Sequence, residues 1–184
     1  AIMRKTLWYC FLSAVIALAA AGGFAAEEPT YLDQIKGNTT LINDATERIK
    51  KDKDDVEAYY VRGGSHFHLG QIYIMMYGPT YTHDQNKVIK DEFDAAVSDF
   101  TAVVDKKPDL LQAYIMRGMS YGQMGLSAAA IADFTHVITV DPKNGYAYYA
   151  RGREYWAQGD YLKAKEDYDK AVELDPQWKD NFYR

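Results

Sequence analysis

The chain of 184 residues is 48% apolar and 26% charged, so it is not a disordered polypeptide and has room for one ordinary domain with a real core. Its net charge is -5, and setting aside Arg4 and Lys5, the only charged residues before Glu27, leaves 19 of the 21 basic residues against 26 acidic ones. An acidic domain repels phosphate backbones, which argues against general nucleic-acid binding. Its one cysteine, Cys10, excludes an internal disulfide, a zinc-thiolate site and a cysteine nucleophile in everything downstream.

The first element is a leader. Arg4 and Lys5 precede an uncharged run, Leu7–Ala26, that ends in small residues. A basic start, an apolar stretch and small residues are the three parts of a secretory signal, and Gly23-Phe24-Ala25 places cleavage after Ala25. Cys10 stands too early in the run for a lipoprotein signal. The same 20 residues are about as long as a bilayer-spanning helix. Ser13, Ala17 and Ala21 form a small-residue stripe suited to packing against another such helix. Residues 1–25 therefore read as a signal peptide or an uncleaved membrane anchor, and either places the folded part, 26–184, across the membrane in a periplasmic or other extracytoplasmic space.

Beyond the leader, Thr30–Lys36 reads as a short helix stopped by Gly37, followed by a helix near 39–51. Further helices are expected near 55–77, 86–106, 110–124, 127–140, 144–158 and 161–174. A self-similarity runs through them. Pro108, Pro142 and Pro176 are evenly spaced at 34 residues, as are Tyr114, Tyr148 and Phe182. One unit reads Tyr114-x-x-Arg117-Gly118-x-x-Tyr121, then Ala130-x-x-x-Phe134, then Pro142. The next reads Tyr148-x-x-Arg151-Gly152-x-x-Tyr155, then Ala164-x-x-x-Tyr168, then Pro176. Small residues let two helices of a unit approach, aromatics fill the space between units, and proline ends each second helix.

This pattern resembles the tetratricopeptide repeat (TPR) family. The resemblance implies an all-α fold of helix-turn-helix units stacked into a right-handed superhelix that buries its faces only by stacking. It covers about residues 38–184: a degenerate half unit at 38–53, units at 56–108, 111–142 and 145–176, and the start of a helix at 177–184. The first unit opens with Tyr59-x-x-Arg62-Gly63 and closes with Ala96, Phe100 and Pro108, but carries 21 extra residues between Gly70 and Ala96. These predict an elongated hairpin, each arm longer by roughly ten residues, or about 15 Å. Its tip carries Tyr73, Met75, Met76, Tyr77 and Tyr81. Some of these pack on Val88, Ile89 and Phe93, and the rest stay exposed as a docking surface.

Two other sets stand out. Arg62, Arg117 and Arg151 occupy one register, and Asp99, Asp133 and Asp167 another, with Asp44 matching the latter. They predict an Arg–Asp ladder between packed helices, against an arginine row for acidic ligands. The resemblance also implies that the first helix of each unit lines a concave groove. Tyr60, Phe67, Ile115, Met119, Tyr146, Tyr149, Arg153 and Trp156 would then face a protein partner, since aromatics and arginine anchor such contacts. Val61, Met116 and Ala150 stand where the polar clamp of chaperone-tail-binding relatives would be, which speaks against a carboxylate tail of that type.

Catalytic and cofactor signals are missing. His66 and His68 point to different faces of a helix, while His83 and His136 have no companion at ligand spacing, so no metal site is expected. No phosphate loop or nucleophile motif appears. The expectation is a non-enzymatic scaffold or assembly adaptor that binds protein partners, with no cofactor. Its rivals are an accessory subunit of a membrane complex, held by residues 7–26, and a protein that binds or transforms a small molecule in the groove.

Overall fold

The computed structural model describes residues 29–181, and the expected leader lies outside them. The described part contains seven α-helices: α1 (Tyr31–Lys51), α2 (Val56–Tyr77), α3 (His83–Lys106), α4 (Leu111–Gln123), α5 (Ser127–Val140), α6 (Gly145–Ala157) and α7 (Tyr161–Leu174). A 3-10 helix, Pro176–Asn181, follows. From Ile35 onward these elements form one compact unit.

The helices start where the sequence supplies caps. Asp55, Asn144 and Asp160 accept hydrogen bonds from the backbone amides of Ala58, Ala147 and Lys163. Each holds one of the orphan amides of a helix start. Their ends are set by the prolines. Lys107, Asp141 and Asp175 each precede a proline and each leaves helical geometry, with φ/ψ of -139/77, -126/86 and -150/108. Proline sterically disfavours the helical region for the residue before it. Gly125 and Gly159, at φ 72 and 81, make the turns inside the later two units.

Helices α2 and α3, α4 and α5, and α6 and α7 pair as hairpins, and each pair packs on the next. Phe93, Phe100, Val103, Phe134 and Val137 lie at the centre, essentially without solvent contact. First helices of neighbouring units also touch each other, α2 with α4 and α4 with α6, where second helices make no comparable contact. The first helices therefore line the inner side of the array.

Three expectations need correction. No helix stops at Gly37: α1 runs unbroken for 21 residues. A helical glycine costs only about 1 kcal/mol relative to alanine, and the hydroxyls of Thr39 and Thr40 bond back to the Ile35 and Lys36 carbonyls across this point. Helix α3 starts at His83, ahead of the expected Asn86, because Thr82 and Gln85 form a reciprocal capping box. Pro176–Asn181 is a 3-10 helix where an α-helix was expected to begin, and the rest of 177–184 lies outside the described residues.

The elongated hairpin is present. Helix α2 has 22 residues and α3 has 24, where the later units have 13 and 14. Gly70, at the place of the usual turn, is helical and lies against the Phe93 ring, and Gly78 at φ 72 makes the turn instead.

Candidate functional site: the concave strip and its supports

The arginine and aspartate registers meet as predicted. Arg62 donates from Nε and Nη2 to the two carboxylate oxygens of Asp99 at 2.9 and 2.7 Å. Arg117 does the same to Asp133 at 2.9 and 2.7 Å, and Arg151 to Asp167 at 2.8 and 2.7 Å. Asp99, Asp133 and Asp167 are buried. Each arginine also reaches backward with Nη1, to the hydroxyls of Thr46, Thr101 and Thr135 at 3.2, 3.2 and 3.1 Å. The guanidinium groups lie 5.7, 5.5 and 5.7 Å from the ring centres of Tyr59, Tyr114 and Tyr148. One fork thus ties the first helix of a unit to its own second helix and to the second helix of the unit before. Fully engaged in this way, the three arginines are structural and do not form a row open to acidic ligands. Hydrogen bonding to the aspartates holds each guanidinium pKa above its ordinary value.

The threonines escaped the sequence reading, although the signal was there. Thr46, Thr101 and Thr135 each stand two residues after Asp44, Asp99 and Asp133. Thr46 shows that α1 acts as the second helix of a unit. Asp44, in the aspartate register, is exposed and holds no arginine.

The expected groove residues divide. Phe67 and Ile115 are 2% and 5% exposed, so they belong to the core and cannot present a groove surface. Phe67 meets Phe93 edge-on at 5.6 Å. Ile115 packs with Val103, Val104 and Val137. Tyr60 is half-buried, edge-on to Phe100 at 5.7 Å. Trp156 sits at the end of α6, 58% exposed and edge-on to Tyr161 at 4.7 Å, away from the rest of the set.

Met119, Tyr146 and Arg153 do come together. With Gly122, Gln123, Phe134, Ala150 and Glu154 they line a cavity of about 80 Å³ between α4 and α6. The Tyr146 hydroxyl donates to the Met119 sulfur at 3.0 Å, and burial pushes its pKa up, partly opposed by the charge of Arg153. Gly122 is what leaves room for Glu154: a Cβ there would lie 2.5 Å from its Oε1. Tyr149 stacks on Trp178 at 4.7 Å, and Tyr146 meets the same ring at 5.8 Å. Trp178 was not anticipated. It stands two 34-residue periods after Leu110, which packs on the core between the earlier units.

A second, more open cleft of about 250 Å³ is lined by Gln71, Ile74, Met75 and Gln123. Gln123 borders both cavities, which lie in sequence along the inner helices. In the hairpin Tyr73 stacks on Tyr77 at 5.8 Å, and Ile89 and Phe93 form the core. Met75, Met76 and Tyr81 stay exposed, and so does Val88, expected inside.

Two adjacent segments, 111–144 and 145–178, each match the family model described as "Tetratricopeptide repeat". Residues 111–178 are tetratricopeptide repeats. Several solved structures resemble this chain in fold. "MamA AMB-1" is 19% identical over 73% of this chain and 66% of that one, with a TM-score of 0.57. "MamA MSR-1" is 17% identical over 95% and 92%, at 0.59. A thermophilic TPR protein of Thermus thermophilus is 16% identical over 80% and 92%, at 0.50. At such identities the likeness is one of fold. No curated protein matches the chain. Among the described residues no cluster of His, Cys, Asp and Glu is placed to hold a metal ion, and no helix is long and apolar enough to cross a membrane.

Proposed function

We propose that the chain is a non-enzymatic scaffold that binds a segment of a partner protein along the strip from Tyr146 to Met75. TPR proteins in general act as protein-interaction scaffolds. One observation supports this particular site. Of the described arginines, Arg48, Arg62, Arg117 and Arg151 are ion-paired, and Arg153 alone has no carboxylate within ion-pair distance. Its exposed side chain stands on the rim of a cavity floored by Met119, Phe134 and Ala150. That combination takes an apolar side chain in the cavity and an aspartate or glutamate of the same segment on the guanidinium. Arginine forks such carboxylates well. The export reading of Arg4, Lys5 and Leu7–Ala26 makes the partner an extracytoplasmic protein, and cell fractionation checks that separately.

A displayed peptide library selected on the purified chain tests the site. Binders should pair an apolar residue with an acidic one, and Arg153→Glu should weaken them about tenfold or more, roughly 1.4 kcal/mol. Selected binders that are indifferent to Arg153→Glu would place the partner surface elsewhere.

A further inference from the structure

Departures from the repeat register collect at one place. Counted from the leading tyrosines Tyr59, Tyr114 and Tyr148, the equivalent positions along the first helices are Gly64, Met119 and Arg153, then Ser65, Ser120 and Glu154, then Phe67, Gly122 and Trp156. Ser65 and Ser120 are buried, and their hydroxyls donate to carbonyls of their own helices, those of Val61 and Met116. In α6 this serine is replaced by a glutamate. In α4 the aromatic two positions further on is replaced by a glycine. The two exceptions meet: the Glu154 carboxylate lies over Gly122, in space that a Cβ would take away. Arg153, a charge where the other units have glycine and methionine, lines the same cavity.

Neither charge is neutralised there. Of the described glutamates, Glu47, Glu57, Glu92 and Glu173 pair with Lys50, Arg48, His66 and Lys170, and Glu166 is exposed. Glu154 is half-buried and has no such partner among the described residues. Arg153 does not serve it, because consecutive residues of a helix do not face each other. The other side-chain donors of the lining are Gln123 and Tyr146, and the Tyr146 hydroxyl is already engaged by the Met119 sulfur. A carboxylate drawn partly out of water is stabilised by a cation placed on it.

We propose that Glu154 is the specificity-determining residue of the concave strip and receives a lysine or arginine of the partner segment. The inference rests on the strip being the binding site. The segment it selects carries a cation for Glu154 as well as an anion for Arg153, beside the apolar side chain that enters the cavity. A run of carboxylates, which Arg153 alone would welcome, is turned away, since like charges brought together at an interface exclude the wrong partner. The excess of acidic over basic residues in the chain acts in the same sense, favouring a segment that contains a basic residue. Gly122 is the positioning residue, because its missing side chain is what lets the carboxylate lie at the cavity wall.

A double-mutant cycle between protein and peptide tests this in the full chain. The probes are synthetic leucine-centred peptides that carry one glutamate and one lysine, with the lysine replaced in parallel sets by norleucine or by a second glutamate. All spacings of up to four residues are covered. Binding is measured to the wild type, Arg153→Gln and Glu154→Gln, and glutamine keeps the shape of the side chain beside Gly122. Replacing lysine by norleucine should weaken binding to the wild type about tenfold or more, the effect of losing a close charge pair. The same replacement should change binding to Glu154→Gln less than about twofold, and the wild-type difference should shrink in salt. The peptides with two glutamates should gain affinity on Glu154→Gln. Peptides that need Arg153 but show no lysine preference linked to Glu154 overturn this role and leave the strip standing. Peptides indifferent to both residues overturn the strip and this role with it. Dependence on Glu154 with norleucine as good as lysine also overturns it, since the carboxylate would then accept from a neutral donor.

Discussion

At the scale of single residues, the repeated fork is what joins the units. A guanidinium presents planar donors on two sides, so it can grip Asp133 with one edge and Thr101 with another. Lysine has no such geometry. Arg117 and Asp133 are only 16% and 7% exposed in their side chains, so removing one strands the other. Breaking a buried pair this way costs about 3–5 kcal/mol. Arg117→Ala should therefore lower unfolding free energy by about 3 kcal/mol in urea titration, and Arg117→Lys should recover less than half of it. Thr101→Val removes a single hydrogen bond and should cost about 1 kcal/mol. A near-neutral Arg117→Ala would show that solvent, not the fork, satisfies these groups.

At the scale of elements, two glycines with the same backbone should answer oppositely to one added methyl. Gly37 and Gly70 are both helical. Around Gly37 nothing lies within 4 Å of the point an added methyl would occupy, whereas at Gly70 the Phe93 ring stands 2.7 Å from it. Gly37→Ala should stabilise by up to about 1 kcal/mol, from helix propensity alone. Gly70→Ala should destabilise by about 1–3 kcal/mol, the usual cost of overpacking. Thermal melts of the two variants check both signs, and a stabilised Gly70→Ala would mean that the α2–α3 packing yields easily. The same two residues show what was legible in the sequence. The 34-residue period placed the helices, the Arg–Asp pairs and the long hairpin, because each rests on spacing along a regular helix. It misled at Gly37, where a weak local breaker was outweighed by the surrounding helix, and at Thr82, where a two-residue cap moved the start of α3. The groove was only half legible. Sequence register says which residues share a helix stripe, but not how deep the stripe sinks. Phe67 and Ile115 share the stripe of Tyr60 and Met119, yet are drawn under by Phe93 and by Val103, Val104 and Val137. Trp178, which shields Tyr149, belongs to a segment whose 3-10 course no periodicity announces.

At the scale of the whole molecule, the array is a row of near-identical junctions with one unit stretched out of it. In such a row stability is close to a sum of unit and junction contributions. The stretch can be removed without touching a junction. Deleting residues 71–91 leaves Gly70 five residues before Ala96, the spacing from Gly125 to Ala130 in the next unit. It spares Arg62, Asp99, Thr46, Phe100 and Val103, which form the first junction and its core. What it loses from the buried set is Ile72 and Ile89, each about 1.5–3 kcal/mol. The shortened chain should thus unfold in one transition at a lower urea midpoint, with Gly70 at the turn that Gly125 and Gly159 make in their units. Its Arg153-dependent peptide binding should persist at the α4–α6 end of the strip, where Gly122, Ala150 and Glu154 are unaltered. Far-UV circular dichroism and urea titration, followed by the peptide measurement on the same preparation, separate these outcomes. A shortened chain that is unfolded would place the hairpin inside the folding core.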